Sequence, residues 1–371
     1  MKSLRSFVLV VLCFSLLGGG GLWILLGSHP AVSERENRAL SPLPTLSLRS
    51  ALDGRFQQGL GRAARDRIPF RASLLSLCGL WELGLGRAQY NGILLGKDGF
   101  LIPHPDGDRA VVTDNLADYR ALSSACEERG LSCHLTLAPR GVDLLADKLP
   151  AGYDPRADEW LWETVSEEAE SAILYRTLRE SEDPAALHYR TDHHLNTHGA
   201  YAIYEHLGGL LDYAPLPASC FDPVTVTDRF LGTSDSKVCL PGVSPDEVVL
   251  YRYVGDTLAD VTDRETGETR HGFYAMETLE KKDCYGVFLG GNFAHLSVSL
   301  PTGEEKPTLL LIKDSYANPV IPFLALHFEL EVIDPRYDVV PLSKRLEEIS
   351  CDAVLFLCGA DTFSEQKGLF S

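Results

Sequence analysis

The sequence predicts an α/β fold built on a doubly wound parallel sheet, with a β-rich insertion and an apolar amino-terminal helix. Three observations predict it. First, Thr308-Leu309-Leu310-Leu311-Ile312, Leu330-Glu331-Val332-Ile333-Asp334 and Ala353-Val354-Leu355-Phe356-Leu357 are short apolar runs separated by segments long enough for covering helices. Runs of this kind read as strands buried on both faces, and strand–helix alternation makes a parallel sheet. Second, from Tyr213 to about Pro301 the chain turns to short runs of Val, Tyr and Phe separated by Gly, Pro and Asp, a β pattern. Third, Lys2 and Arg5 precede an apolar stretch from Phe7 to Leu26. At about 1.5 Å per residue, that stretch is roughly 30 Å long, the depth of a bilayer core.

Taken in order, residues 1–30 read as a membrane anchor. Positive charge ahead of the span places the amino terminus in the cytoplasm and the main domain outside, a single-pass arrangement in the cytoplasmic membrane. A cleavable signal peptide is the runner-up, because Gly18 to Gly21 interrupt the run, but its end lacks a clear small-x-small site. Residues 31–90 read as a stalk with amphipathic helices, broken early by Pro42 and Pro44 and apolar from Phe70 to Leu85. Residues 91–371 form the catalytic α/β domain, with the β-rich insertion at about 213–301. Within it we expect helices over Thr113–Arg129 and Pro155–Ala169, a strand over Cys133–Leu137, and a helix starting after an Asn196-Thr197 cap. Tyr316–Phe328 reads as a covering helix despite Pro319 and Pro322, and Ser343–Ile349 as a polar one.

Composition narrows the function. The net charge of −18 argues against nucleic acid as partner and against adhesion to anionic lipid, and it repels polyanionic substrates unless a basic patch intervenes. Of nine cysteines, Cys13 lies in the apolar stretch. The remaining eight permit disulfides in an oxidising compartment, with Cys126–Cys133 and Cys220–Cys239 the first pairs to test; Cys351 and Cys358 read as buried thiols.

Two polar segments carry chemistry: Thr191-Asp192-His193-His194 and Lys313-Asp314-Ser315-Tyr316. A serine hydroxyl needs an imidazole base held in one tautomer by a carboxylate. Ser315, His194 and Asp192 offer those groups, and Ser315 falls at the carboxyl end of a predicted strand, where ligands bind in such sheets. If residues 191–194 are extended, Asp192 and His194 point to one side and His193 to the other. Donors for an oxyanion are the Ser315 amide, Asn292 behind Gly290 and Gly291, and Arg336. The plainer readings are a helix cap for Asp314-Ser315, a turn for Asn292 and a surface ion pair for Arg336. Asp192, His193, His194 and His198 are also zinc-ligand types. The helix start between His194 and His198, and the lack of the hydrolytic glutamate, favour no metal and no other cofactor.

Thr191-Asp192-His193-His194-Leu195-Asn196-Thr197-His198-Gly199-Ala200-Tyr201 resembles the motif that names the DHHW proteins, relatives of the AlgX/AlgJ-like alginate O-acetylation proteins in the SGNH hydrolase superfamily. Glu36-Asn37-Arg38-Ala39-Leu40, Asp66-Arg67-Ile68-Pro69-Phe70-Arg71, Tyr90 to Gly99, Gly290-Gly291-Asn292, Lys313 to Asn318 and Asp334-Pro335-Arg336-Tyr337 are similar to further family signatures. The resemblance implies a three-layer α/β/α SGNH-hydrolase-like domain and a permuted triad of Asp192, His194 and Ser315. It places Asn292, Gly291, Arg336, Tyr316 and His193 in the oxyanion or substrate site. Leu195 stands where the motif's name has tryptophan, and Lys313 where the wider superfamily has glycine. The implied activity is that of a membrane-tethered serine O-acetyltransferase or acetylesterase acting on a cell-surface polysaccharide, with a membrane-bound acyl-transfer partner. The alternative is a catalytically inactive glycan-binding or assembly-scaffold protein of the same fold.

Overall fold

The computed structural model describes residues 2–370 apart from 168, 256, 257, 302 and 304. The chain divides into two compact units, residues 1–87 with 236–242, and residues 88–235 with 243–371. The first unit holds α1 (Lys2–Leu26), the paired β1 (Val32–Ser33) and β2 (Arg38–Ala39), and the helices α2 (Leu48–Leu52), α3 (Arg55–Asp66) and α4 (Arg71–Gly84). Within α1, Ser6–Leu26 is long and apolar enough to cross a membrane. The acidic residues at the base of this unit are tied down: Glu36 and Asp66 both receive Arg38, and Glu36 also receives Arg71.

The second unit opens with a small antiparallel sheet, β3 (Gln89–Tyr90), β4 (Ile93–Leu95) and β5 (Leu101–Pro103), followed by α5 (Arg109–Glu127) and β6 (Ser132–Ala138). Next come α6 (Gly141–Leu144), α7 (Glu159–Thr164), α8 (Ala169–Arg179) and α9 (Thr197–Leu210). The expected acidic helix over 155–169 is thus shorter and is followed by a second helix; residue 168 lies outside the described residues. The segment 213–301 contributes β7 (Phe221–Phe230), α10 (Thr233–Val238), which begins in this unit, β8 (Asp246–Tyr253), β9 (Asp260–Asp263), β10 (Thr269–His271) and β11 (His295–Ser299). The chain ends through β12 (Thr308–Lys313), α11 (Ile321–Leu324), β13 (Glu329–Ile333), α12 (Leu342–Glu348), β14 (Ala353–Gly359) and α13 (Ala360–Glu365).

Seven strands form the central sheet in the order β10-β9-β11-β13-β12-β14-β6. β13, β12, β14 and β6 are parallel, as expected; β11, β9 and β10 extend the sheet antiparallel at one edge. The β-rich segment therefore splits, because only β7 and β8 pair apart from the main sheet.

The alternation of strand side chains explains the layers. Leu309 and Leu311 of β12 enter one core with Leu355 and Leu357 of β14, and α8, α9 and α11 cover it. Leu310 and Ile312 enter the opposite core with Val354 and Phe356, under α5, α12 and α13. Leu309, Leu310 and Leu311 are fully buried, each worth about 1.5–3 kcal/mol of hydrophobic stabilisation. This is the three-layer α/β/α arrangement. After β12 the chain crosses one face through α11 to β13, and returns over the other through α12 to β14 on the far side of β12. The carboxyl end of β12 is thus a topological switch point, where a crevice opens.

One expected element fails. Tyr316–Phe328 is not a helix: a 3₁₀ turn at Ser315–Ala317 and four residues of α11 replace it. Pro319 and Pro322 remove backbone donors, so a continuous ladder cannot form, and Pro322 instead takes the first turn of α11. The nine cysteines are all free. The Cys126 and Cys133 thiols hydrogen-bond one another, which lowers the pKa of Cys126 and raises that of Cys133.

Candidate active site

At the carboxyl end of β12 the turn that carries the candidate nucleophile, Ser315, is built by Asp314. Its Oδ1 accepts the Tyr316 N–H at 2.8 Å, capping the 3₁₀ turn, and its Oδ2 accepts the Gly359 N–H at 2.8 Å from the end of β14. The plainer cap reading thus fits Asp314, while Ser315 Oγ is left to point at the second segment. Burial and the nearby Asp361 raise the Asp314 pKa. The Ser315 N–H, first in its turn, takes no acceptor among the described residues.

The candidate base, His194, arrives on the loop before α9. Asn196 caps that helix, its Oδ1 accepting the N–H groups of His198 and Gly199, and an isolated bridge joins His188 to Leu195. Between these anchors, residues 191–194 bend, and Asp192 Oδ1 accepts the His194 N–H at 3.1 Å in an Asx-type turn. The same oxygen lies 2.6 Å from His194 Nδ1, and His194 Nε2 lies 2.8 Å from Ser315 Oγ. Asp192, His194 and Ser315 therefore form one continuous hydrogen-bonded relay.

The bend overturns the alternation expected for an extended segment. His193 does not face away: its ring packs on that of His194 with centroids 3.7 Å apart. Its Nδ1 lies 2.7 Å from Thr233 Oγ1, and Thr233 Oγ1 and N donate to Asp192 Oδ2 at 3.0 and 2.7 Å. Both carboxylate oxygens of the buried Asp192 are thus doubly bonded. Burial alone would raise its pKa; the charges of His193 and His194 and these hydrogen bonds hold it below the usual carboxylate range. His194 is pushed down to about 4, chiefly by burial and then by His193, against the pull of Asp192. It is a neutral imidazole at neutral pH, with Nδ1–H aimed at Asp192 and the Nε2 lone pair at Ser315.

The insertion contributes more than a wall. Tyr285 stacks flat on the His194 ring, centroids 3.9 Å apart and planes 6° apart, and its hydroxyl donates to the Ser315 carbonyl at 2.8 Å. Tyr285 belongs to a third apolar cluster with Tyr189, Phe230, Val248 and Phe288, which fixes the ring from behind. Gly232 is required beneath Asp192, since a Cβ there would lie 2.4 Å from both Cβ and Oδ2 of the aspartate.

Beside Ser315, Lys313 is buried and ends β12 in regular register with Leu357. Its Nζ donates to Asn318 Oδ1 at 2.8 Å, Asn292 Oδ1 at 3.2 Å and Asp334 Oδ2 at 3.4 Å. Asn318 Nδ2 also donates to Asn292 Oδ1 at 3.2 Å. With its oxygen held twice, Asn292 presents Nδ2 outward, and among the described residues that group has no acceptor. Gly290 and Gly291 precede it at φ +86 and +126, a left-handed path that glycine alone follows easily.

Two other expected site residues turn inward. The Arg336 Nε and Nη2 grip Asp334 at 2.8 and 2.7 Å, so its fork is occupied within the protein. Tyr316 is buried, and its hydroxyl donates to the His193 carbonyl at 2.8 Å, tying the two motif segments together. His198 is exposed and meets Tyr251. Asp192, His193 and His194 do lie close enough to share a cation, with ligand atoms within 4.8 Å. Each of these atoms is, however, already engaged in the relay or with Thr233. Thr233, Tyr285 and Gly232 were not found from the sequence: Gly232-Thr233 is a short polar interruption like many others, and nothing near Tyr285 marks it.

Comparison with known proteins addresses the family and the fold. Residues 154–333 match the DHHW protein family. This span holds Asp192, His194 and Ser315 together, so the resemblance drawn from the sequence motifs holds. A crystal structure of a DHHW family protein from Eubacterium siraeum is 20% identical, with a TM-score of 0.61 over 75% of this chain and 94% of that one. Bacillus cereus PatB1 is 18% identical, with a TM-score of 0.63 over 75% of this chain and 99% of that one. At these identities the likeness establishes the three-layer α/β/α fold alone. A curated relative described as "Probable alginate O-acetylase AlgJ" from Pseudomonas aeruginosa is 28% identical over 128 residues, 32% of this chain. The match spans about a third of that relative's length.

Proposed function

We propose that this DHHW chain is a membrane-tethered, extracytoplasmic serine O-acetyltransferase or acetylesterase acting on a cell-surface polysaccharide. The observation that carries the reading is the unbroken relay from Asp192 through His194 to Ser315 Oγ, with distances of 2.6 and 2.8 Å. His194 Nε2 takes the Ser315 proton as Oγ attacks the acetyl carbonyl; ionised Asp192 stabilises the imidazolium that forms. The Ser315 N–H, the Gly291 N–H and Asn292 Nδ2 receive the developing oxyanion. Collapse expels the donor's leaving oxygen, which takes the proton from His194. In the second half-reaction His194 deprotonates the acceptor, a sugar hydroxyl for transfer or water for hydrolysis, and Ser315 is restored. The AlgJ relative's description names alginate O-acetylation, which supports a polysaccharide acceptor and transfer over hydrolysis. The α1 helix supports a tether, and a membrane-bound acyl donor partner would suit it.

A PatB1 structure carries a sulfonyl adduct, so a sulfonyl fluoride is the natural probe. Mass spectrometry after labelling should show one adduct, on Ser315, absent from Ser315→Ala, together with acetate release from a chromogenic acetyl ester lost in the same variant. Equal acetate release by both proteins would defeat the serine mechanism. No adduct and no release, with saturable polysaccharide binding, would instead establish a scaffold.

A further inference from the structure

Phe70, Leu74, Leu77, Trp81 and Leu85 follow a 4-3-4-4 spacing, which places them in one stripe along α4 and its flanks. All are solvent-exposed, Phe70 at 84%, Trp81 at 67% and Leu77 at 63%. The one buried residue of α4, Gly79, sits half a turn away, so the helix shows the protein its smallest side chain and shows solvent its largest. An apolar stripe of about 22 Å, at 1.5 Å per residue, facing outward is not the pattern of a water-facing helix.

Two further observations say what covers it. Arg67 Nη1, just before α4, donates to the Ile24 carbonyl in the last turns of α1 at 3.3 Å. A cavity of about 240 Å³ lined by Trp23, His29, Arg67, Phe70 and Arg71 occupies that junction. The start of α4 therefore lies at the level where the apolar span ends. Charge supplies the second observation. Residues 31–90 contain nine arginines and no lysine against five acidic residues, although the whole chain carries −18. Four of the five acidic groups are consumed locally, Glu36 by Arg38 and Arg71, Asp66 by Arg38, Asp53 by Arg55 and Glu82 by Arg87. Arg49, Arg62 and Arg65 are exposed without an acidic partner among the described residues.

We propose that α4 is an interfacial helix: its stripe lies among the acyl chains of the bilayer's outer leaflet, and the unpaired arginines bind anionic phospholipid headgroups. This reverses the expectation, drawn from net charge alone, that the chain avoids anionic lipid, because the charge is segregated along the sequence. An apolar helix combined with basic groups is the two-signal pattern of stable interfacial binding. The inference rests on the extracytoplasmic tether under Proposed function only for which leaflet is met; α4 remains in the chain whether or not α1 is removed.

The test places a nitroxide at Leu77→Cys in a Cys13→Ala/Cys78→Ala background, reconstituted in vesicles of phosphatidylethanolamine and phosphatidylglycerol. We expect strong relaxation by oxygen with exclusion of a water-soluble nickel complex, and a shallower label in Arg62→Glu/Arg65→Glu. Free access of the nickel complex would overturn the proposal. So would dipolar broadening with poor access for both reagents, which would mean that a second copy or another protein covers the stripe. Amino-terminal sequencing of the chain isolated from membranes separates the two readings. If α1 has been removed, the tether fails, and the processed chain should still float with phosphatidylglycerol vesicles while Leu77→Glu/Trp81→Glu does not. If that processed chain fails to float, the proposal fails too. Sulfonyl labelling of Ser315 should be unchanged in Leu77→Glu/Trp81→Glu, showing that the fold survives.

Discussion

Replacing Lys313 with methionine tests whether the buried ammonium beside the nucleophile serves catalysis through Asn292. The Lys313 Nζ and the Asn318 Nδ2 each hold the Asn292 oxygen at 3.2 Å. Losing an oxyanion donor outright costs about 10²–10³ in turnover. Lys313→Met removes one of two anchors, so kcat should fall about tenfold, less than in Asn292→Ala, with KM little changed. The stability cost should be modest. Asp334 keeps both arms of Arg336, so the change strands no carboxylate, and breaking this pair should cost less than the roughly 3–5 kcal/mol of an orphaned buried charge. Burial lowers the Lys313 pKa, so at neutral pH the unfolded chain holds that proton more readily than the folded one. The charge is destabilising there, and its removal offsets part of the loss. The assay is steady-state acetyl-ester turnover for both single variants and the double variant. If Lys313 acts only by orienting Asn292, the double variant will match Asn292→Ala. A full, multiplicative loss in the double variant, or unchanged kcat in Lys313→Met, would refute the reasoning.

Further outcomes follow from the same geometry. With His194 held near 4 by burial and His193, kcat/KM should keep its plateau to about pH 5 and fall with an acid limb near 4; an ordinary imidazole would already be about nine-tenths protonated at pH 5.5. Stability should move in the same direction. The depressed folded pKa of His194 contributes stability that is fully present above about 6.5 and lost as pH falls through 4, and the depressed Asp192 adds to acid sensitivity below its unfolded value, measurable by thermal unfolding across pH. Gly232→Ala would put a methyl 2.4 Å from Asp192 Oδ2, and should lower kcat at least tenfold while the fold, read by circular dichroism, persists. Leu195→Trp, which restores the residue of the motif's name, should destabilise the protein by about 1–3 kcal/mol in urea unfolding, because Leu195 is buried and packs closely on Gly199.

The strands were legible because their signal is local. β12, β13 and β14 are apolar runs whose alternate residues feed two cores, and any parallel sheet needs such runs. The Asn196 cap was legible for a similar reason, since a short side chain satisfies the next N–H groups from within the same segment. What escaped depends on approach through space. Whether insertion strands join the main sheet or pair apart is decided by edge partners far along the chain, so β9 to β11 were not separable from β7 and β8 by composition. Apolarity likewise suggested a helix after Ser315, and two prolines overrode it. For the Asp192-His193-His194 segment the expected pairing of Asp192 with His194 is present on a different backbone: strand alternation would have sent His193 away, whereas an Asx turn gathers both rings. Thr233 and Tyr285 approach the relay from 30 residues and more along the chain, with no local pattern to announce them.

That turn also explains how the base is tuned. Burial does most to keep His194 unprotonated against the pull of Asp192, and a protonated base could not accept the serine proton. His193 packs on the His194 ring and, second to burial, opposes its protonation while favouring the charge on Asp192. Thr233 completes the division of labour by bonding both His193 and the outer oxygen of Asp192. We propose that His193, the first histidine of the motif, is a positioning and electrostatic residue, whose removal should raise the His194 pKa. In His193→Phe a ring remains and the imidazole's electrostatic effect does not, so the acid limb of kcat/KM should shift upward from about 4 while the triad distances stay intact. An unmoved limb would mean that burial alone sets the base.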